Sequence, residues 1–363
     1  MLPQWFAKNT SLWFVDFMQQ ALYNQQEGYY TRTDSPFGKK GDFITAPEIT
    51  SLFGQTLANV CGKILPLLHE PVIFEFGAGS GRLCIDLLTS LEQQNLLPHK
   101  YLILELSHAL KTTQEKLIKE ELGHLISKVE WITAWPKKSF QGIIVANEVL
   151  DAMPVHRFKI DKTAIFESKI SCSAAGDLKE IWQPCPHKRI IQHIKARTAS
   201  LDTNYISECN GLLDNWVLNC SKMLKKGVML IIDYGFPARE YYHQDRNQGT
   251  LMCHYKHHAH TNFLANIGNQ DITAHVDFTH VAEAANKAKF DIAWFSNQAA
   301  FLLENGILDF LSNIKNEVSR FKANQALMQL LSPAEMGELF KAMVLTKNIS
   351  LPFTWQERYT LRT

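Results

Sequence analysis

Residues 71–83, P-V-I-F-E-F-G-A-G-S-G-R-L, constrain this chain more than any other stretch. Apolar residues of strand type run into Glu75 and Phe76, glycines alternate at 77, 79 and 81, and helical spacing resumes from Leu83 to Leu91. Alternating glycines permit positive φ and close backbone approach, and the first turn of a helix offers unpaired N–H groups. Strand, tight turn and helix start in this order predict a nucleotide-binding corner.

The rest of the chain continues the alternation. Short apolar runs at 72–76, 101–105, 128–132, 142–146 and 228–233 lack strict period-two patterning, as expected of parallel strands covered on both faces. Helical patterns follow at 108–121, 211–224 and 279–288, and the end alternates again, with strands at 290–294 and 342–345. The predicted fold class is α/β: a Rossmann-like, mostly parallel sheet flanked by helices, with an N-terminal helical and lid segment and two insertions. Residues 1–70 hold the N-terminal part, with helices at 12–23 and from Pro47 to about 65, capped by Thr45. Between them lies a loop punctuated by Pro36, Gly38 and Gly41, a candidate lid or a plain surface loop. Residues 71–363 form the main domain. Its insertions fall at about 155–210, where a hairpin (155–160 with 163–169) precedes an irregular polar stretch, and at 238–277, irregular and rich in histidine.

Composition excludes some classes. Hydrophobic residues make up 46% and charged residues 20%, the profile of a globular protein with a real core. Lys plus Arg number 37 against 36 Asp plus Glu, so no global field draws the chain to nucleic acid or anionic lipid. The seven cysteines include no C-x-x-C pair, which suits buried thiols in a reducing compartment. No apolar run approaches a membrane span, and the N-terminus shows no targeting leader; a cytoplasmic protein is expected. A homodimer through either insertion is compatible with the sequence.

The turn distinguishes between nucleotides. A dinucleotide fingerprint, G-x-G-x-x-G, needs glycine at position 82, where Arg82 stands. G-x-G-x-G is instead the usual first motif of class I S-adenosylmethionine methyltransferases. Glu105, about 24 residues beyond Gly81 at the end of the second strand, is placed to accept from both ribose hydroxyls. A solvated strand-end carboxylate is the plainer reading. The fourth strand ends in A-N-E-V-L-D-A-M-P-V, where this fold places reacting groups. Asn147 can accept from the cofactor's amino group or donate to its carboxylate. Glu148 and Asp151 point the same way if the chain turns helically, and could orient and hold an amine or guanidinium. For a guanidinium, carboxylates that localise its charge are the natural device. Alternatively, the pair caps and solubilises a following helix.

The segments G-D-F-I-T-A-P-E-I-T-S-L-F-G, E-F-G-A-G-S-G, A-N-E-V-L-D-A-M-P-V-H-R-F, I-D-Y-G, G-T-L-M-C-H-Y, Q-D-I-T-A-H-V-D-F and P-A-E-M-G-E-L-F-K together resemble the MidA-like family of S-adenosylmethionine-dependent methyltransferases. The resemblance runs from Phe17 to Lys341. It implies a class I methyltransferase fold, bound S-adenosyl-L-methionine and methylation of a protein arginine, the activity of the family's mitochondrial complex I assembly factor. Without a leader, a bacterial member is expected. Carried onto this chain, the resemblance puts cofactor contacts at Gly77, Ala78, Gly79, Gly81, Glu105 and Asn147, with Thr45 and Pro47 from the covering loop. Asp42, Glu48, Asp271 and His275 are expected on the acceptor side, with Thr273 and Asp277 beside them.

Two other readings stay open: a small-molecule methyltransferase of the same fold, and an assembly factor whose partner-binding surface matters more than turnover. The histidines at 254, 257, 258 and 260 lack the H-E-x-x-H arrangement and a cysteine pair, so no metal is expected there. His156 and His275 flank the expected site, in packing or proton-accepting roles.

Overall fold

The structure, a computed structural model, describes residues 3–8, 10–31, 45–198 and 204–355. Its centre is a sheet whose principal strands are β1 (Val72–Phe76), β2 (Lys100–Leu104), β3 (Val129–Ile132), β4 (Phe140–Asn147), β5 (Leu224–Phe236), β6 (Asp291–Asn297) and β7 (Phe340–Lys347). Their spatial order is 3-2-1-4-5-7-6. Strands 3, 2, 1, 4 and 5 pair in parallel, whereas β7 lies antiparallel between β5 and β6. The order reverses between β1 and β4, and the crevice at their carboxyl ends is where open α/β sheets bind ligands.

The predicted strands match observed ones because each is an apolar run too short for a helix; every residue of β1 is buried. One face packs against the helices Ser51–Ile64, Arg82–Gln93 and His108–Leu122 through Phe53, Leu57, Leu87, Leu91 and Ile118. The other packs against Leu213–Met223 and Phe278–Lys287 through Val217, Cys220, Val281 and Ala285. All seven cysteines are buried and unpaired.

Three local expectations need correction. The helix expected from Pro47 to about residue 65 is two helices, Ala46–Ile49 and Ser51–Ile64, broken where Thr50 turns extended at φ −162°. Thr45 makes no side-chain cap; Thr50 does, its hydroxyl accepting from the Leu52 N–H at 3.3 Å. The stretches read as irregular are partly ordered. Leu178–Pro184 adds an edge strand to the hairpin Ala164–Cys172 and His156–Asp161, which continues to Tyr205–Cys209 on one side and Ser11–Trp13 on the other. The histidine-rich stretch forms a small antiparallel sheet of Met252–Tyr255, His258–His260 and Asp271–Thr273. Helix Phe14–Tyr23 packs Phe14, Phe17 and Met18 into a core that Ile170, Cys253, Phe263 and Ile272 share, so the two insertions and the N-terminal helix meet above the crevice.

Candidate active site

The crevice is a cavity of about 700 Å³, in the range of small-molecule sites. Gly77, Gly79 and Gly81 all sit at positive φ, +56°, +55° and +90°, so the turn after β1 requires residues without a Cβ. It is pinned by the Gly77 N–H donating to the Leu104 carbonyl at 3.0 Å and Gly81 to Ala78 at 2.7 Å. Gly77, Ala78 and Gly79 line the cavity; Gly81 does not, but shapes the start of helix Arg82–Gln93 as its left-handed N-cap.

Glu105 stands at the end of β2, its carboxylate accepting from the Ser107 N–H and from Gln114 Nε2, both at 2.9 Å. Gln114 Nε2 also donates to the Gly79 carbonyl at 2.9 Å, while its Oε1 accepts from the Trp131 indole at 2.8 Å. One amide thus fixes the turn and the acid relative to each other. Nothing in its sequence marks Gln114 out, because its partners Glu105, Trp131 and Gly79 are 9, 17 and 35 residues away and follow no spacing pattern. Glu75, within β1, accepts from the Tyr101 hydroxyl at 2.7 Å, and burial pushes its carboxyl up to about 7. It lines the cavity as well, and its one visible signal is an acid inside an apolar strand.

On the opposite wall the chain leaves β4 through a turn rather than a helix. Glu148 is left-handed at φ +53°, and the N–H groups of Val149, Leu150 and Asp151 all donate to Asp233 Oδ2, at 3.1, 2.8 and 3.3 Å. Glu148 and Asp151 therefore share the cavity because Asp233 of β5 gathers the turn, and they cap no helix. Tyr234 donates its hydroxyl to Asp151 Oδ2. Glu148 Oε1 accepts from Asn147 Nδ2 at 3.2 Å and from the Ala46 N–H at 3.4 Å. The segment 45–48 also touches the other half of the cavity, where the Ser80 hydroxyl donates to Glu48 Oε1. Thr45, Pro47 and Glu48 line the cavity, while Asp42 lies outside the described residues.

The N-terminal segment and the second insertion supply the cover. Tyr23 and Tyr30 stack at 5.5 Å; Tyr23 donates to the Ala152 carbonyl at 3.0 Å and Tyr30 to Asp271 Oδ1 at 2.9 Å. Asp271, Thr273 and His275 line the cavity. His275 packs against Tyr234 and Phe236, with Nδ1 3.4 Å from the Thr250 carbonyl, and burial lowers it to about 4, so the ring is neutral at pH 7. Asp277 is not at the cavity: it caps helix Phe278–Lys287 and accepts from Arg197 Nε at 3.0 Å. His156 is also elsewhere, 2.6 Å from Glu167. From the histidine cluster, His254 reaches the cavity.

The electrostatics favour a cation. Among the described lining residues are six carboxylates (Glu48, Glu75, Glu105, Glu148, Asp151, Asp271), no lysine, and one arginine, Arg82, which is held by Glu121 at 2.6 and 2.8 Å. Burial, and then the charge of Asp151, push Glu148 up to about 8; burial pushes Asp151 to about 6. Asn147 Oδ1 and Asp151 Oδ1 are buried with no hydrogen-bond partner among the described residues. These are sites for donors of a bound molecule.

A pH test follows. A carboxyl raised in the folded state binds protons that the unfolded chain has released, so its contribution is full below its unfolded value, 4.5, and is lost as pH rises through about 8. Glu148→Gln removes that loss. Chemical denaturation of the unliganded protein should therefore show the variant gaining stability relative to wild type between pH 5 and about 9, whereas a constant difference would contradict the shift.

A parallel sheet ordered 3-2-1-4-5-7-6 with one antiparallel strand, and a glycine turn facing Glu105 at its switch point, define a class I S-adenosyl-L-methionine-dependent methyltransferase. Residues 56–296 match the family described as "Putative S-adenosyl-L-methionine-dependent methyltransferase". The chain belongs to this family, the MidA-like methyltransferases. It is similar to the mitochondrial protein arginine methyltransferase NDUFAF7 of Mus musculus, at 27% identity over 95% of this chain and 83% of that protein. It is similar also to the NDUFAF7 homolog of Caenorhabditis elegans, at 26% over 95% and 84%. A crystal structure from Burkholderia thailandensis bound to S-adenosyl-homocysteine is 36% identical, with a TM-score of 0.89 over 94% of this chain and 89% of that one. S-Adenosyl-L-methionine is the cofactor, and the positive-φ turn, the fixed Glu105 and the unpartnered Asn147 Oδ1 fit it.

Proposed function

We propose that this methyltransferase modifies an arginine side chain of a protein, with Glu148 and Asp151 holding the guanidinium. The observation that carries this reading is the acid-lined cavity with two buried carboxylates, both raised, on one turn beside Tyr234. The names of the curated relatives support it.

In this reading Glu105 and Asn147 orient the cofactor beside the glycine turn, and Tyr23, Tyr30 and Tyr234 exclude water around the acceptor. When bound, S-adenosyl-L-methionine supplies an electrophilic methyl group on a positively charged sulfur. Glu148 and Asp151 each gain ionisation as the guanidinium enters, because a cation within reach restores the charged form that burial disfavours. They pin the planar cation by paired hydrogen bonds and concentrate its charge on the nitrogens they touch. The remaining nitrogen is left electron-rich and aimed at the methyl carbon. As its new N–C bond forms and the C–S bond breaks, that nitrogen loses one proton, which Glu148 or Asp151 accepts and passes to solvent.

The test works while the acceptor is still unidentified. Lysate from a deletion strain, incubated with the enzyme and cofactor labelled in its methyl group, should yield a labelled protein whose hydrolysate carries the label on methylarginine. Label confined to small molecules, or on lysine or carboxyl groups, would overturn the proposal.

A further inference from the structure

Outside the cavity the insertion brings three metal-binding side chains together. His156 and Glu167 stand on adjacent antiparallel strands, His156–Asp161 and Ala164–Cys172, in which Phe158 pairs with Glu167. His156 is two residues from Phe158, so the pleat places it on the same face as Glu167, one diagonal away. His156 Nδ1 lies 2.6 Å from Glu167 Oε1. His187 comes from the turn before helix Lys188–Thr198, and its Nε2 lies 3.7 Å from Glu167 Oε2. That turn is tied back to the hairpin by the Cys185 N–H donating to the Ile165 carbonyl at 3.0 Å. One donor atom from each of the three residues lies within 4.8 Å of the other two.

We propose that His156, Glu167 and His187 bind a divalent transition cation, zinc by their donor set, as a clip within the insertion. Two imidazoles and one carboxylate are a set that zinc takes up with a further position left to water, with bonds of about 2.0–2.2 Å. Such bonds space neighbouring donors roughly 3.3 Å apart in a tetrahedron. The contact at 2.6 Å need only open, and that at 3.7 Å close, by rotation of side chains already facing one another. The charge balance points the same way. The Glu167 side chain is fully buried, yet among the described residues its side-chain partners are these two histidines and the Cys185 thiol at 3.3 Å, with no lysine or arginine. A buried carboxylate needs a compensating positive charge, which a dication supplies. Access is open from one side, since the His187 side chain is 43% exposed whereas that of His156 is 12% exposed. None of the three residues lines the methyl-transfer cavity, but Met153 and Pro154, just before His156, do. The clip would thus hold the strand that leaves the acceptor turn.

The three residues come from two strands and a loop, so no spacing motif announces them. The site is tested with tag-free full-length protein stripped by a chelator and titrated with zinc chloride alone. The expected result is one equivalent of zinc bound, by calorimetry and elemental analysis, with a rise in melting temperature that EDTA reverses. His187→Asn, at a half-exposed side chain, should fold as the wild type does yet lose the stoichiometric zinc and the thermal shift. Glu167→Gln should lose them too, its fold checked by circular dichroism. His257→Asn, in the other histidine cluster, should keep both. Wild-type protein that takes up no stoichiometric zinc, a His187→Asn variant that binds as wild type, or loss of binding on His257→Asn would each overturn the proposal. Because the readout is metal content, failure here leaves the methyl-transfer reading standing, and the reverse also holds.

Discussion

Replacing Gly79 with valine is expected to abolish measurable binding of S-adenosyl-L-methionine while leaving the protein folded. Gly79 sits at φ +55° and lines the cavity. A β-branched residue in that backbone region is strained by roughly 1–3 kcal/mol, and relief of the strain means moving the turn. At the upper end this is about a hundredfold in affinity before any direct collision is counted. The Gly79 carbonyl also accepts from Gln114, so a moved turn disturbs the side chain that positions Glu105. Titration calorimetry of cofactor binding, alongside thermal melts, checks this. Wild-type affinity in a folded variant would remove the glycine turn from the binding site.

Glu148→Gln is expected to act on the other half of the reaction. The amide keeps the shape of the side chain and an oxygen for the Ala46 N–H, but it removes the carboxylate that, in the proposed function, steadies the guanidinium and takes its proton. Removing one such electrostatic partner costs about 10²–10³ in kcat. Cofactor affinity, carried mainly by the glycine turn and Glu105, should change by no more than about threefold, roughly 0.6 kcal/mol, because Glu148 reaches the cofactor half only through Asn147. Methyl incorporation into the acceptor found by lysate labelling measures the first quantity and calorimetry the second. Near-wild-type turnover would show that the carboxylate does no chemistry, and would favour a protein whose task is to bind a partner.

The same split between near and far contacts explains which features the sequence reveals. The strands of the central sheet are legible because a buried parallel strand needs little beyond a short apolar run, and 72–76 is observed at its predicted limits. The glycine turn is legible because its backbone angles require particular residues. The acidic corner is legible only in part. Glu148 and Asp151 can be picked out by type, but the device that aims them, three N–H groups gathered by Asp233, joins residues more than 80 positions apart. Tyr23, Tyr30 and Tyr234 escape notice for the same reason, since their apolar rings read as core until their hydroxyls meet Ala152, Asp271 and Asp151. Asp277 errs in the opposite direction. It stands four residues beyond Thr273, which lines the cavity, yet its carboxylate caps a helix and pairs with Arg197.

The short segment around Pro47 gives the two halves of the cavity a common boundary. Through Glu48 it rests on Ser80 of the glycine turn, and through the Ala46 N–H it rests on Glu148. A ligand on either side therefore meets the same segment, whose Thr45, Pro47 and Glu48 line the cavity. Whatever free energy they gain or lose on contact with the first ligand is felt by the second, and thermodynamic linkage makes the effect equal in both directions. The coupling between the two ligands is then a property of this segment, and affinities for each ligand measured with and without the other would report on it without any change at the reacting atoms.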